Sequence, residues 1–506
     1  MKVRHIFSYA LVGVLLSMNA CSLTFEPIDT YSDITEGINE AGEQAVFKDK
    51  AAVESHLKTL YNQMRDRQEH WYVDLLLIAE AHSDNAYAGT TGAEVVPFEN
   101  NAIEGSNSVI NRDWNRYMED VARANKLIDN IDEVEDQSLT TKERAQYKAE
   151  AKIFRAMIFF DMVRIWGNIP VITKEAGDIT SETIQDVYGD YFPAQQQELD
   201  VYKQIESDLL EALEDAPDNT AGDKTRFSKS VARTLLAKVY AEKPIQDYSK
   251  VIQYCDEVAA DGFDLVEDFS TLFGMNEANT DAKARNTRES ILEAQFFPGS
   301  GNWSTWMFGR DIVNWNSNFT WAKWITPSRD LIKAFESEGD QIRFHESVVY
   351  YEATWSNYYP AAHYPFMYKN RSAYSSIIKY RYADVLLLKA EALIMQGAPD
   401  LNAAGEIIDK IRVRAGLEKL SNATKGNKEA MVNALLKERR LELAFEAQRW
   451  FDLVRLGKVE EVMNSVFAKD SGRKARAYLF NENSYKLPIP QAVIDQNPNL
   501  VQNPGY

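Results

Sequence analysis

The chain is 506 residues long and 45% apolar, with 76 Asp and Glu against 56 Lys and Arg for a formal charge of −20. So much apolar content exceeds what one small core requires, while a mean hydropathy of −0.40 is too polar for a multi-span membrane protein. The excess of acid excludes a nucleic-acid footprint built on surplus Lys and Arg. At the N-terminus, Lys2 and Arg4 precede an apolar run from Ile6 to Leu16, the pattern of a secretory signal and too short to span a bilayer.

That run ends in Ser17-Met18-Asn19-Ala20-Cys21, which resembles a bacterial lipoprotein cleavage box. The resemblance implies a signal peptide over residues 1–20 and a lipid anchor on Cys21. Cys255 would then be the one remaining thiol, so no disulfide is expected within the chain. The following residues carry Glu26, Asp29, Asp33, Glu36, Glu40 and Glu43, with Lys48 and Lys50 the first bases. Anionic lipid repels such a segment, so residues 21–45 read as a solvated tether, and the folded body as residues 46–506.

Periodicity predicts a mostly helical body. Thr140 with Glu143 three positions on forms a capping-box pattern, and Ile153, Met157, Phe160 and Val163 then repeat at three and four until Gly167 and Pro170 stop the helix. Similar segments occur at about 112–131, 198–214, 228–242, 248–260, 379–396, 402–415 and 428–456. Several come as consecutive pairs in which Ala232, Ala237 and Ala241, or Ala383, Ala390 and Ala392, interleave with bulky residues. Small residues let helix axes approach, the logic of tetratricopeptide-like (TPR-like) hairpins. Residues about 262–379 break the rule. They hold a short strand-like run at Ser290–Phe297, a Gly-, Asn- and Ser-rich stretch, and a Tyr-rich stretch with Pro360 and Pro365.

Motifs for catalysis and cofactors are missing. The six histidines form no metal-binding pattern, Cys255 is unaccompanied, and no phosphate loop, nucleophile elbow, dinucleotide fingerprint or calcium loop occurs. No cofactor and no metal is therefore expected. Glu438, Glu442, Glu446, Arg449, Asp452 and Arg455 repeat at three and four along one predicted helix. Two such carboxylates could be a glycosidase pair, but an Arg within reach of each favours the ionised form over a general acid. An interhelical ion-pair network is the favoured reading, and the chain is not expected to be an enzyme.

Aromatic residues carry the functional signal. Five of ten Trp (Trp303, Trp306, Trp315, Trp321, Trp324) fall within 22 positions, and nine of 25 Tyr lie between Tyr350 and Tyr382. The Trp segment alternates rings with Asn, Ser, Thr, Arg and Asp. Sugars offer flat C–H faces and a rim of hydroxyls, so aromatic platforms flanked by hydrogen-bonding side chains suit them. The expected ligand-binding residues are Trp303, Trp306, Trp315, Trp321, Asn302 and Asn316. Asp84 and Tyr87, in a second polar and aromatic break, are expected to approach the same surface. About half of the rings are expected to pack the segment onto the helices, and Trp114 and Trp450 to be core.

Several segments together resemble the SusD/RagB family of outer-membrane lipoproteins. They are the N-terminal signal ending at Cys21, Arg155 through Pro170, the helix pair from Tyr382 to Leu417, the run Glu438-Arg439-Arg440 to Arg455, and the closing Leu487-Pro488-Ile489-Pro490 and Asn503-Pro504-Gly505-Tyr506. The resemblance implies a SusD-like superhelix of TPR-like units with an irregular ligand-binding half. It also implies exposure on the outer face of the outer membrane, and a SusC-like TonB-dependent transporter as partner. Such proteins capture oligosaccharides or, in RagB-like branches, peptides. The family's ligand residues share no motif, so none carries over to a position here.

Overall fold

The computed structural model describes residues 46–89, 92–177, 179, 183–219, 222–299, 301–308, 312–314 and 324–506. The signal, the tether and Cys21 lie outside the described residues.

Helices form where capping and periodicity call for them. Asp49 accepts a hydrogen bond from Ala52 N (2.8 Å) to start α1, Lys50–Asp66. Asn107 caps α2, Ser108–Asn130, in the same way. The Thr140–Glu143 capping box is complete and opens α3, Thr141–Trp166. The sequence predicts one buried face for α3, yet every residue from Ile153 to Trp166 is buried. Neighbours on several sides produce this, since α2 and α4, Glu198–Asp215, both pack along α3. Its polar residues are paired accordingly: Arg155 makes a two-pronged contact with Asp208 of α4 (2.8 and 2.6 Å).

The array continues with α5, Lys229–Ala241, and α6, Tyr248–Ala260, which pack on one another. Ala232, Ala237 and Ala241 are all buried at the close approach. Next in space comes not the following segment but α9, Tyr382–Met395, which packs against α6 and pairs with α10, Leu401–Arg414. Residues 262–379 are thus inserted between two adjacent members of a helical-hairpin array.

The described part of the insert holds more regular structure than its composition predicts. It contains α7, Arg329–Glu338, capped by Ser328, and α8, Gln341–Ser347, capped by Asp340. Strands are short and antiparallel. β1, Ala86–Tyr87, pairs with β3, Thr326–Pro327, and β2, Ser290–Ala294, pairs with β6, Ile377–Arg381. The Tyr-rich stretch forms a hairpin of β4, Val348–Tyr351, and β5, Tyr364–Met367, in the register Val348↔Met367 to Tyr351↔Tyr364.

The single helix expected over 428–456 is two, α11, Lys428–Glu442, and α12, Arg449–Arg455. Between them Phe445 (φ 62°) and Ala447 (φ 57°) adopt left-handed backbone, a costly conformation for residues with a Cβ. Glu80 braces the turn, its Oε1 accepting from Ala447 N (3.0 Å) and its Oε2 from Asn85 Nδ2 (2.7 Å).

Candidate functional site

The charged run splits by role. Glu442 is fully buried, accepts from Arg381 Nη1 (2.6 Å) and Arg343 Nη1 (3.0 Å), and also pairs with Arg414. Glu438 joins Arg343 (2.6 Å), and Glu446 joins Lys369 and Arg381 (2.5 and 2.6 Å). Arg439 ties α11 to Asp452 and to Asp384 of α9 (both 2.8 Å), and Arg455 holds Glu391 (2.7 Å). Burial alone would raise the pKa of Glu442, but the guanidinium groups of Arg414, Arg381 and Arg343 outweigh it and hold it well below the usual carboxylate range. Such a group cannot donate a proton to a leaving sugar. This is an interhelical network, and most of its partners sit on other elements rather than along one stripe.

Contrary to expectation, Asp84, Tyr87 and Asn302 are buried struts. Asp84 is buried, with both carboxylate oxygens on Arg449 (2.7 and 2.8 Å) and a further contact to Arg440 (3.2 Å). Tyr87, on β1, is fully buried. Its ring stacks on Tyr358 (4.6 Å, 5°), and its hydroxyl donates to Asp470 Oδ2 (2.5 Å) and accepts from Arg329 N (3.0 Å). Asn302 is equally buried: its Nδ2 donates to Asn370 Oδ1 (2.9 Å) and Ser375 O (3.0 Å), while its Oδ1 accepts from Ser304 N (3.0 Å). Polar residues in a break after a helix look alike in sequence whether they face ligand or close a core hydrogen-bond network.

Asn302 pins the start of the Trp segment. Its N–H donates to Ala373 O (2.6 Å), and Ser304 N donates to Gln68 Oε1 (3.0 Å), which ties the segment to the end of α1. Trp303 is half-buried and packs on the main core, and Phe308 meets Tyr72 edge-on at 6.1 Å. At the far end Trp324 is buried, its N–H donating to Met307 O (2.8 Å). Between these anchors Ile312 N donates to Arg371 O (2.9 Å), and the Ile312 side chain packs with Ala353, Tyr364 and Phe366 of the hairpin. Trp315, Asn316 and Trp321 lie outside the described residues, as does the side chain of Trp306.

The hairpin next to this segment was not in the expected residue set. Tyr350 stacks on His363 (4.0 Å, 2°), Trp355 lies edge-on to Tyr364 (5.7 Å) and Phe366 (6.0 Å), and the Arg371 guanidinium sits 3.7 Å over Tyr368. Tyr350, Tyr351, Trp355, Tyr359 and Tyr368 are half-buried, and Glu352, Thr354 and Asn357 around them are exposed. The signal for this surface in the sequence is the tyrosine density between 350 and 382. A pocket of about 40 Å³ beside β6 is too small for a sugar ring, and Lys238, Lys369 and Lys379 on its wall are each paired with a carboxylate.

Among the described residues no group of His, Cys, Asp and Glu could hold a metal ion, and no helix is long and apolar enough to cross a membrane. Cys255 is buried, its thiol donating to Val385 O (3.4 Å), and burial pushes its pKa up.

Comparison with known proteins agrees across the chain. Residues 349–506 match the model of the SusD family, and residues 37–241 match a model described as "Starch-binding associating with outer membrane". A SusD-like protein of Formosa agariphila is 25% identical over 544 aligned positions, covering 99% of both chains. Among solved structures, a laminarin-binding SusD-like protein superposes with a TM-score of 0.69 at 23% identity, covering 91% of this chain and 100% of that one. A surface glycan-binding protein A of Bacteroides fluxus gives 0.71 at 22% identity, covering 90% and 99%. With a helical-hairpin array interrupted by one aromatic insert, and matches at both ends of the sequence, the chain belongs to the SusD/RagB family.

Proposed function

We propose that this protein captures oligosaccharide on the outer face of the outer membrane and delivers it, chemically unchanged, to a SusC-like TonB-dependent transporter. The observation that carries this reading is the concentration of partly exposed rings with polar neighbours in the insert, next to a helical array whose charged groups are paired internally. The Trp segment, through Trp303, Trp306, Trp315, Trp321 and Asn316, and the β4–β5 hairpin together form the binding surface. Ring faces stack on sugar C–H faces, and exposed groups such as Glu352 and Asn357 serve the hydroxyls. The starch-binding description of the matched model and the laminarin-binding relative support a glucan as the ligand class over a peptide. Anchoring through a lipid on Cys21 belongs to the same proposal, supported by the signal-like N-terminus.

Absence of catalysis rests on the acids. Glu442 is held ionised by three guanidinium groups, and Glu446 is committed to Lys369 and Arg381. Isothermal titration against a panel of soluble glycans tests the binding reading. Replacing Trp303, Trp306, Trp315 and Trp321 together by Ala is expected to abolish binding while the helical circular dichroism stays unchanged. Binding that survives the replacement refutes this site, and release of reducing ends from any glycan refutes the non-catalytic assignment.

A further inference from the structure

A broad groove of about 770 Å³ opens between α1 and the exit of β2. Leu57, Met64 and Ala294 give it an apolar floor, and Lys58, Asn62 and Gln295 stand on its rim. Phe297, just past β2, is 49% exposed. Arg285 sits 4.3 Å over the Phe297 ring and so holds it in place. Tyr147 adds a second half-buried ring, its hydroxyl donating to Glu54 (3.0 Å). Among the described residues, neither Lys58 nor Asn62 has a side-chain hydrogen-bond or ion-pair partner.

One wall of the groove is tied to the start of the Trp segment. Gln68, just beyond α1, donates to Arg65 O on the groove wall (2.8 Å) and accepts from Ser304 N (3.0 Å). From the other wall, the chain runs from Phe297 directly into Asn302 and Trp303. We propose that this groove holds the continuation of a long oligosaccharide whose other end lies on the Trp segment, with Phe297 as stacking platform and Asn62 as hydrogen-bonding partner. The proposal rests on the glycan-binding reading above and extends it to chain length.

Chemistry favours a sugar here over an extended peptide. A peptide adding as a strand to β2 would need a free sheet edge, yet Glu293 N already donates to Lys224 O (2.9 Å) and the opposite edge of β2 is taken by β6. What remains available is the Phe297 ring face, the Asn62 amide and the Lys58 ammonium, which suit hydroxyls. The volume falls within the roughly 300–1,000 Å³ typical of ligand sites.

The test is isothermal titration of the full chain with maltotriose and maltoheptaose, and with laminaritriose and laminariheptaose, comparing wild type with Phe297→Ala and with Phe297→Ala/Asn62→Ala. Both residues are at least partly exposed, and Phe297→Ala alone serves if the double variant folds poorly. Tyr478→Ala, 70% exposed and outside the groove, is the surface control. The heptasaccharide that wild type binds is expected to weaken about tenfold in the double variant, with the trisaccharide and the control unchanged. Equal affinities for the heptasaccharide in wild type and variant, or an equal loss at both lengths, overturn the groove assignment. If neither series binds wild type at either length, the glucan reading itself fails and the groove proposal falls with it.

Discussion

Replacing Glu442 by Gln tests whether the charged run is scaffold. The carboxylate meets Arg381, Arg343 and Arg414 at once, and is fully buried. The amide keeps the shape, removes the charge, and turns an NH₂ toward donors. Each guanidinium retains a second carboxylate: Arg343 has Glu438 and Asp340, Arg381 has Glu446 and Glu289, and Arg414 has Glu289. The loss should therefore lie within the usual range for breaking a buried pair, about 3–5 kcal/mol. Unfolding entropy of about 2.1 cal/mol/K per residue over the roughly 460 residues from Phe47 to Tyr506 converts this to a fall in Tm of about 3–5 °C, read by differential scanning calorimetry. Because the folded-state pKa of Glu442 is depressed, its contribution is complete above 4.5, its ordinary value, and is lost as pH falls toward the folded value. The gap between variant and wild type should thus narrow below pH 4.5. An unchanged Tm, or a glycan-hydrolysing activity lost in the variant, would refute the scaffold role.

Glu80, which braces the turn at Phe445 and Ala447, is pushed up to about 7 by burial, against the hydrogen bonds from Asn85 and the turn backbone. A raised folded-state pKa gives stability that is complete below about 4.5 and lost as pH rises through about 7. Wild type should therefore lose a few kcal/mol across that interval, and chemical denaturation of Glu80→Gln at several pH values should show a flatter profile. Tyr87→Phe removes the hydroxyl between Asp470 and Arg329 N and should cost about 1–3 kcal/mol with glycan affinity unchanged, whereas a ligand role would reverse that pattern. Asn302→Ala should destabilise by a similar amount and weaken binding as well, since it removes the side-chain bonds to Asn370, Ser375 and Ser304 that pin the start of the Trp segment.

The helical array is legible in the sequence because its signals are local. Thr140 and Glu143 lie three positions apart, and alanines recur where helix axes approach. Less legible are features decided by distant partners. The break between Glu442 and Arg449 carries no Gly or Pro, and Glu80, over 360 positions away, is what holds it. Asp84 and Tyr87 read as exposed polar and aromatic residues until Arg449, Arg440 and Tyr358 are brought to them by the fold. The hairpin surface is visible only as tyrosine density, since the pairing of Val348–Tyr351 with Tyr364–Met367 sets which rings face outward.

A crystal structure of the protein with its tightest-binding oligosaccharide measures the central claim most directly. The expected result is a glycan stacked on rings of the Trp segment and the Tyr350–Tyr368 hairpin, with every glycosidic bond intact. A glycan seated on the helical array away from the insert, or one cleaved beside Glu442 or Glu446, would contradict it.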